Sequence, residues 1–310
     1  MVSKLENLVD GKIITPLSLD DESLFREQIR RYNGYSLHFE DSWAYVLQAT
    51  RNLPLKYVTE NAFLTLTVKQ DDAALVIPNH FAHPNQLTTI AKSLTQTVGK
   101  PIILKNVAIW SIHPFLEHGF DVYQSHEVWD AKAPYDDQTF PQHILEIEEL
   151  LSLSGKPYRK VRTELNGCSR SMPDIDIIPY DPRLHKDEVS KLCAKQEGRN
   201  KGTLAAHELY LAVESNGFLQ SFVYAIDDHI IAYTVTDRIS FVCAAANALI
   251  YDTTIPNLPT RVIYEVARLA HEEGYTFLNL QGSETRTLDR WKRKFNPTLS
   301  IKNTHLIYRA

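Results

Sequence analysis

The sequence predicts an α/β chain of two tandem units, each a mixed α+β sheet flanked by helices. Three observations carry this. Each half holds strand-like runs, then a Pro-Asn helix start, a helix-ending glycine, a strand, a short helix and a last strand. The Pro-Asn proline lies 15 residues before that glycine in the first half (Pro84 to Gly99) and 18 in the second (Pro256 to Gly274). The charge balance also changes sign near Gly155: residues 1–154 carry 12 Lys/Arg against 20 Asp/Glu, and residues 155–310 carry 21 against 18. We therefore expect an N-terminal domain over 1–154 and a C-terminal domain over 155–310, related by duplication.

In the first half, Ser18-Leu19-Asp20-Asp21-Glu22 signals a helix start, with the helix running to about Arg31. A second helix fits Phe39 to Thr50. Phe63 to Gln70 alternates as a strand, Asp71-Asp72 turns, and Ala74 to Pro78 returns as a hairpin. Pro84-Asn85 opens a helix that Gly99 ends, followed by a strand from Pro101 to Val107. A short helix, Ile109 to His118, closes at Gly119-Phe120, and Val122 to Trp129 is a strand.

The second half repeats the order. Helices fit Lys156 to Ser171, Pro182 to Gln196 and Ala205 to Ser215, with a strand at Ile175 to Pro179. Three strands follow: Phe218 to Ile226, Ile230 to Arg238 and Phe241 to Tyr251. Pro256-Asn257 opens a helix to about Glu273, ended by Gly274. Tyr275 to Leu280 is a strand, Glu284 to Lys294 a short helix, and Ser300 to Tyr308 the last strand.

Composition narrows the function classes. The 310 residues are 44% apolar and 23% charged, enough for a core in one large or two ordinary domains. The longest apolar run, Phe241 to Tyr251, is about half the ~20 residues a membrane span needs. The opening Met-Val-Ser-Lys-Leu-Glu-Asn has no apolar signal core, so the expected setting is cytoplasmic. Cys168, Cys193 and Cys243 are too scattered for a disulfide framework or a zinc site. His80 and His83 lack a third ligand, so no metal is expected. A net charge of −5 argues against general nucleic-acid affinity but leaves room for a local anion site. Only 11 glycines weaken any reading built on glycine-rich phosphate loops.

A three-stranded antiparallel meander followed by helix, strand, helix, strand is the order of a GNAT-type acyltransferase fold, and two such units in tandem are expected. Two segments add to this: IEELLSLSGKPYRKVR (Ile147 to Arg162) and FLNLQGSETRTLDRWKRKFNP (Phe277 to Pro297). Both resemble a family of tandem acyltransferase-like proteins that includes the soluble, DUF2156-type domain of bacterial phosphatidylglycerol lysyltransferases. The matching positions are Ser154-Gly155-Lys156 with Tyr158, the strand end Asn279-Leu280-Gln281-Gly282-Ser283-Glu284, and Trp291-Lys292-Arg293-Lys294-Phe295-Asn296-Pro297. The resemblance covers most of the second half, and the first half only by architecture. It implies transfer of an aminoacyl group from its tRNA ester, or of an acyl group from a coenzyme A or carrier-protein thioester. The superfamily's usual glycine-rich loop before the donor helix is replaced here by Thr253-Thr254-Ile255-Pro256-Asn257-Leu258-Pro259-Thr260. Prolines remove N–H donors that would cradle a pyrophosphate. The acid and arginine that the lysyltransferases carry before their Pro-Asn are missing from Asn247-Ala248-Leu249-Ile250-Tyr251, so a phosphatidylglycerol acceptor is not expected.

Candidate residues follow. Glu284 is the first choice for the carboxylate that takes the acceptor's proton, its alternative being a charge that complements a helix N-terminus with Ser283 as cap. Asp252 is the second choice, or else a turn residue; Tyr251 either returns a proton to the leaving group or packs. Donor binding falls to Asn257, Thr260 and Arg261 at the start of the Pro-Asn helix. Lys292 and Lys294 join them, set beside a predicted buried stripe of Leu288, Trp291 and Phe295. Asn247, polar inside an apolar strand, together with Asn279 and Ser283, either lines the acyl or acceptor pocket or satisfies backbone groups. Lys156, Arg159, Lys160 and Arg162 form an anion-facing rim or cover a domain seam with their aliphatic stems. Cys243 reads as core rather than as a covalent acyl carrier.

The leading expectation is an N-acyltransferase that moves an acyl group from a coenzyme A or carrier-protein thioester directly onto an amine of a small molecule or peptide. An aminoacyl-tRNA-dependent transferase is the alternative, and a non-catalytic tandem binding module the second. The acyl-CoA, acyl-carrier protein or aminoacyl-tRNA would be a co-substrate, with no tightly bound cofactor. The first domain would serve the acceptor side.

Overall fold

Two seven-stranded mixed sheets organise the chain in a computed structural model that describes residues 8–9, 12–32, 34–49, 55–59, 62–68, 74–77, 83–123, 140–172, 174–195, 220–283 and 285–309. The first unit comprises residues 1–133 and 301–310, and the second residues 134–300.

In the first unit the small pair β1 (Leu8–Val9) and β2 (Lys12–Ile13) precedes β3 (Thr15–Pro16). A capping box between Ser18 and Asp21 starts the helical segment that continues as α1 (Glu22–Tyr32). A single turn at Phe39–Asp41 and α2 (Trp43–Ala49) stand where one helix was expected. The meander is β4 (Leu55–Thr59), β5 (Ala62–Val68) and β6 (Ala74–Ile77). Helix α3 (Pro84–Val98) starts with Pro84 in its first turn and His83 accepting from the Asn85 N–H, and ends at Gly99 with φ 67°. Strand β7 (Ile102–Ala108), α4 (His113–Glu117) and β8 (Phe120–Tyr123) follow.

The second unit begins with a strand and a helix that the sequence reading left unassigned, β9 (Gln142–Glu146) and α5 (Ile147–Ser152). Then come α6 (Arg159–Ser171), β10 (Asp176–Pro179) and α7 (Pro182–Ala194). The meander is β11 (Gln220–Ile226), β12 (His229–Arg238) and β13 (Cys243–Tyr251). It leads to α8 (Leu258–Glu272), β14 (Phe277–Asn279), α9 (Arg286–Arg293) and β15 (Leu299–Ile301). The expected helix at 205–215 and residues 124–129 of an expected strand lie outside the described residues.

The expected last strand is in fact two. β15 joins the second sheet, and β16 (Asn303–Tyr308) joins the first. The sheet orders are β3-β4-β5-β6-β7-β16-β8 and β10-β11-β12-β13-β14-β9-β15. In each, the sixth position is held by a strand that lies apart in sequence from its sheet neighbours. This displaces the expected division at 154/155: Leu145, Ile147 and Leu150 are core residues of the second unit, and Leu306 is core to the first. The physical reason is burial, because these apolar side chains pack under the sheet that their own strand or helix completes.

Registers show how alike the two frames are. Ala74, Leu75 and Val76 of β6 pair in parallel with Ile102, Ile103 and Leu104, just as Cys243, Ala244 and Ala245 of β13 pair with Phe277, Leu278 and Asn279. On the other side, Tyr308, Ile307 and Leu306 face Ile102, Ile103 and Leu104, while Glu146, Leu145 and Ile144 face Phe277, Leu278 and Asn279. Two residues past this match, Asn106 (φ 59°) and Gln281 (φ 63°) both take the left-handed conformation. The neighbouring position on the sixth strand is a histidine in both sheets, His305 and His143.

Candidate active site

Pairing between β13 and β14 stops at Ala245↔Asn279, while β13 runs on through Ala246 to Tyr251 with no β14 partner. The backbone groups of β13 that would continue the β14 ladder therefore face a split at the carboxyl end of the two parallel strands. A β-bulge sits at its start: Val235 pairs with Ala248 and Thr236 with Ala246, which makes Asn247 the extra residue. Its Nδ2 donates to the Ala245 carbonyl at 3.5 Å, and its buried Oδ1 has no hydrogen-bond partner among the described residues. Gln281 spans the split, its Nε2 donating to the Ala246 carbonyl.

Behind Gln281 stands a chain of buried amides. Asn279 is fully buried, its Oδ1 accepting from the Gln281 N–H at 2.6 Å and its Nδ2 donating to Gln142 Oε1 at 2.9 Å. Asn279 thus fixes the left-handed Gln281 rather than lining an open pocket. Ser283 is buried, its Oγ without a partner among the described residues and its carbonyl accepting from the Phe140 N–H at 3.1 Å. Glu284 lies outside the described residues.

Other expected site residues are engaged in structure. Asp252 accepts from the Thr254 N–H (2.9 Å) and hydroxyl (2.7 Å), a local turn whose bonds from Thr254 hold its carboxyl below the usual range. Its bonds are those of a turn residue. Tyr251, partly buried, ends β13 opposite Ala232. Cys243 is fully buried and its thiol is pushed far up by burial, which keeps it protonated as core.

The start of α8 is closed to a pyrophosphate cradle. Pro259 has no N–H, and the N–H groups of Thr260 and Arg261 already go to the carbonyl of Asn257, itself at φ 64°. The buried Thr260 hydroxyl donates to Glu164 on α6, and Lys294 Nζ reaches both Glu164 and the Thr260 Oγ1, the latter at 2.6 Å. Burial opposes the Glu164 charge, but hydrogen bonds from Lys294 and Thr260 outweigh it and hold its carboxyl below the usual range. Arg261 pairs with Glu265 at 2.8 Å and Ser169 at 3.0 Å. Lys294 also lies 4.9 Å from the Trp291 ring centroid.

Two lysines expected to meet a donor phosphate are thus directed inward. Lys292 is buried and donates to the carbonyls of Gln281 and Gly282. Of the predicted stripe, Phe295 just past α9 is fully buried and Trp291 packs half-buried against the core, while within α9 the buried positions are Asp289 and Lys292. In the expected rim, Lys156, Arg159 and Lys160 are exposed, whereas Arg162 ties down the carbonyls of Leu153 and Gly155.

Residues that sequence reasoning missed form a second cluster. His143 is fully buried; its Nε2 lies 2.8 Å from Asp289 Oδ1 and its Nδ1 3.0 Å from Ser300 Oγ. The other Asp289 oxygen accepts from Arg293 Nε at 2.8 Å. Burial lowers the His143 pKa more than Asp289 raises it, so the ring is neutral. Burial works against the Asp289 charge, but bonds from Arg293 and His143 prevail and keep it ionised. Among the described residues no group of His, Cys, Asp or Glu is placed to hold a metal ion, and no helix is long and apolar enough to cross a membrane.

Solved structures place this geometry. A conserved protein of unknown function from Bacteroides thetaiotaomicron matches 96% of this chain and 100% of its own at TM-score 0.77 and 13% identity. The DUF2156 C-terminal domain of a protein named for lysylphosphatidylglycerol synthetase, from Agrobacterium fabrum, matches 93% of this chain and 92% of its own (TM-score 0.62, 12% identity). L-PGS from Bacillus licheniformis matches 95% and 93% (0.65, 13%). The chain shares their fold. No family model and no curated protein sequence matches it.

Proposed function

We propose that the chain is an acyltransferase that moves an activated acyl group directly onto an amine, with its site at the split between β13 and β14. The observation that carries this reading is the split itself: a parallel pair that parts after Ala245↔Asn279, bulged at Asn247 and bridged by Gln281. An acyl donor lying along β13 would complete the ladder that β14 abandons. Its carbonyl would meet N–H groups freed by the bulge, each such donor contributing ~3–4 kcal/mol to the transition state. Holding amine and acyl carbon in contact contributes ~7–11 kcal/mol more. An amine with a pKa of ~10.4 costs ~4–5 kcal/mol to deprotonate at neutral pH, so a base helps but positioning dominates. Asp252, tied into its turn, is a poor base; Glu284 stays the candidate base and Tyr251 the candidate that returns a proton to the leaving group.

A second reading concerns the donor. The closed start of α8, with the Glu164 carboxylate beside Thr260, favours donors that place no pyrophosphate there, such as an aminoacyl-tRNA or an acyl carrier protein. A neighbour named for lysylphosphatidylglycerol synthesis agrees with lysyl transfer as one form of this chemistry. Acyl-CoA remains the thioester alternative, and the first unit would serve the acceptor.

The test is to incubate the chain with acetyl-CoA, an acyl carrier thioester or charged tRNA, plus a lysine- or ornithine-bearing acceptor, and to weigh the products. We expect transfer from one donor class, lost on RNase treatment if that donor is tRNA. Gln281→Ala should slow it ~100-fold through loss of the ordered split. No transfer from any donor would leave the tandem binding module as the better reading.

A further inference from the structure

We propose that Ser300 is a nucleophilic serine, with His143 as its general base and Asp289 as the positioning carboxylate, and that it accepts acyl groups from activated esters and thioesters. This site is separate from the β13–β14 split and does not depend on the reading given for it.

An ionised carboxylate only accepts hydrogen bonds, so His143 Nε2, 2.8 Å from Asp289 Oδ1, must carry the ring hydrogen. Nδ1 is then the lone pair, and it faces Ser300 Oγ at 3.0 Å. Nucleophile, base and orienting group are each within hydrogen-bond reach of the next, which is the geometric signature of an activated hydroxyl. Either nitrogen of a neutral imidazole is competent as the base. Arg293 Nε on the second Asp289 oxygen leaves the first for His143 alone.

Burial divides the roles. His143 is fully buried and Asp289 nearly so, which fixes the ring and removes competing water. Ser300 is exposed, on β15 at the edge of the second sheet, where a small ester has access. At the matching position of the first unit stands His305, which accepts from the Asn106 N–H at 3.2 Å and pairs across the sheet with Tyr123.

The step balances as follows. Ser300 Oγ bonds to the acyl carbon as its hydrogen passes to His143 Nδ1. The carbon–sulfur or carbon–oxygen bond to the leaving group breaks, and the leaving group takes that proton. Water then attacks the seryl ester through the same nitrogen, releasing the carboxylic acid and restoring the hydroxyl.

The experiment treats the full chain with p-nitrophenyl acetate, follows p-nitrophenolate release, and maps the acetyl adduct by peptide mass. We expect a burst equal to the amount of protein, with the adduct on Ser300. Ser300→Ala, at an exposed position, should fold normally and lose both. Asp289→Asn should slow acylation ~10²-fold or more by misplacing the ring hydrogen. No adduct, an adduct elsewhere, or equal labelling in Ser300→Ala would overturn the proposal. Labelling of Ser300 that Asp289→Asn leaves unchanged would overturn the relay.

Discussion

The two sheets match in strand order and in register, including a left-handed residue and a histidine at matched positions, yet they part company at the centre. Among the described pairings, β13 carries an extra residue, at Asn247, against its meander partner, and β6 does not. The left-handed side chains are used differently too. Asn106 Nδ2 donates to the Tyr45 hydroxyl on α2, tying the strand to a buried aromatic helix, whereas Gln281 reaches across its own sheet to Ala246. In the first sheet the left-handed side chain ties to a neighbouring helix, and in the second it bridges the two central strands.

The comparison can be broken first at the sixth strands. Leu306→Ala should destabilise the first unit by about 2–5 kcal/mol and leave the second unmoved, whereas Leu145→Ala should do the reverse. Hydrogen exchange read peptide by peptide separates the two; loss of protection around α8 in Leu306→Ala would contradict the strand assignment.

A smaller effect is expected at the ionic lock between α6, α8 and α9. Lys294→Met leaves the Glu164 carboxylate without its cation and should cost the second unit about 3 kcal/mol, while adding Glu164→Met should recover most of that. Denaturant melts of the single and double variants decide it.

Acid offers a finer probe. The folded pKa of His143 lies below its ordinary 6.5, so the unfolded chain binds more protons between those two values. Stability of the second unit should rise with pH through that window and level off above about 6.5. His143→Gln should remove this slope, leaving the lower-pH loss that follows protonation of Glu164 and Asp289. The smallest effect belongs to Asp252→Ala, which should cost about 0.5–1 kcal/mol as a lost turn and leave transfer rates unchanged.

Much of this architecture could be read from the residues. Alternation and Pro-Asn starts located the second meander, the β5–β6 hairpin of the first and both central helices, since these signals are local, but β4 was not read. Asn247 stood out because a lone amide in an apolar strand must mark an irregularity. What escaped was non-local. Nothing near Gln142–Glu146 tells which sheet the strand completes, and the run from Leu299 to Tyr308 looks continuous although Lys302 separates two sheets. Near α9 the apolar stripe marked Trp291 and Phe295, which do pack on the core, but Asp289 and Lys292 are buried as well, because their partners, His143 and the Gln281 and Gly282 carbonyls, lie on other elements. His143, Ser300 and Glu164 had no signal at all, being ordinary residues until folding brings distant segments together.

Placing β16 between β7 and β8 also has a consequence for synthesis. While the ribosome is still translating the second unit, the first has every other strand but must wait with a vacant slot beside β7, its edge amides unpaired. Only when residues 303–308 emerge is that slot filled. A stalled or clipped nascent chain would therefore expose a sticky edge on the half made first, and the half made last would be the earlier to mature.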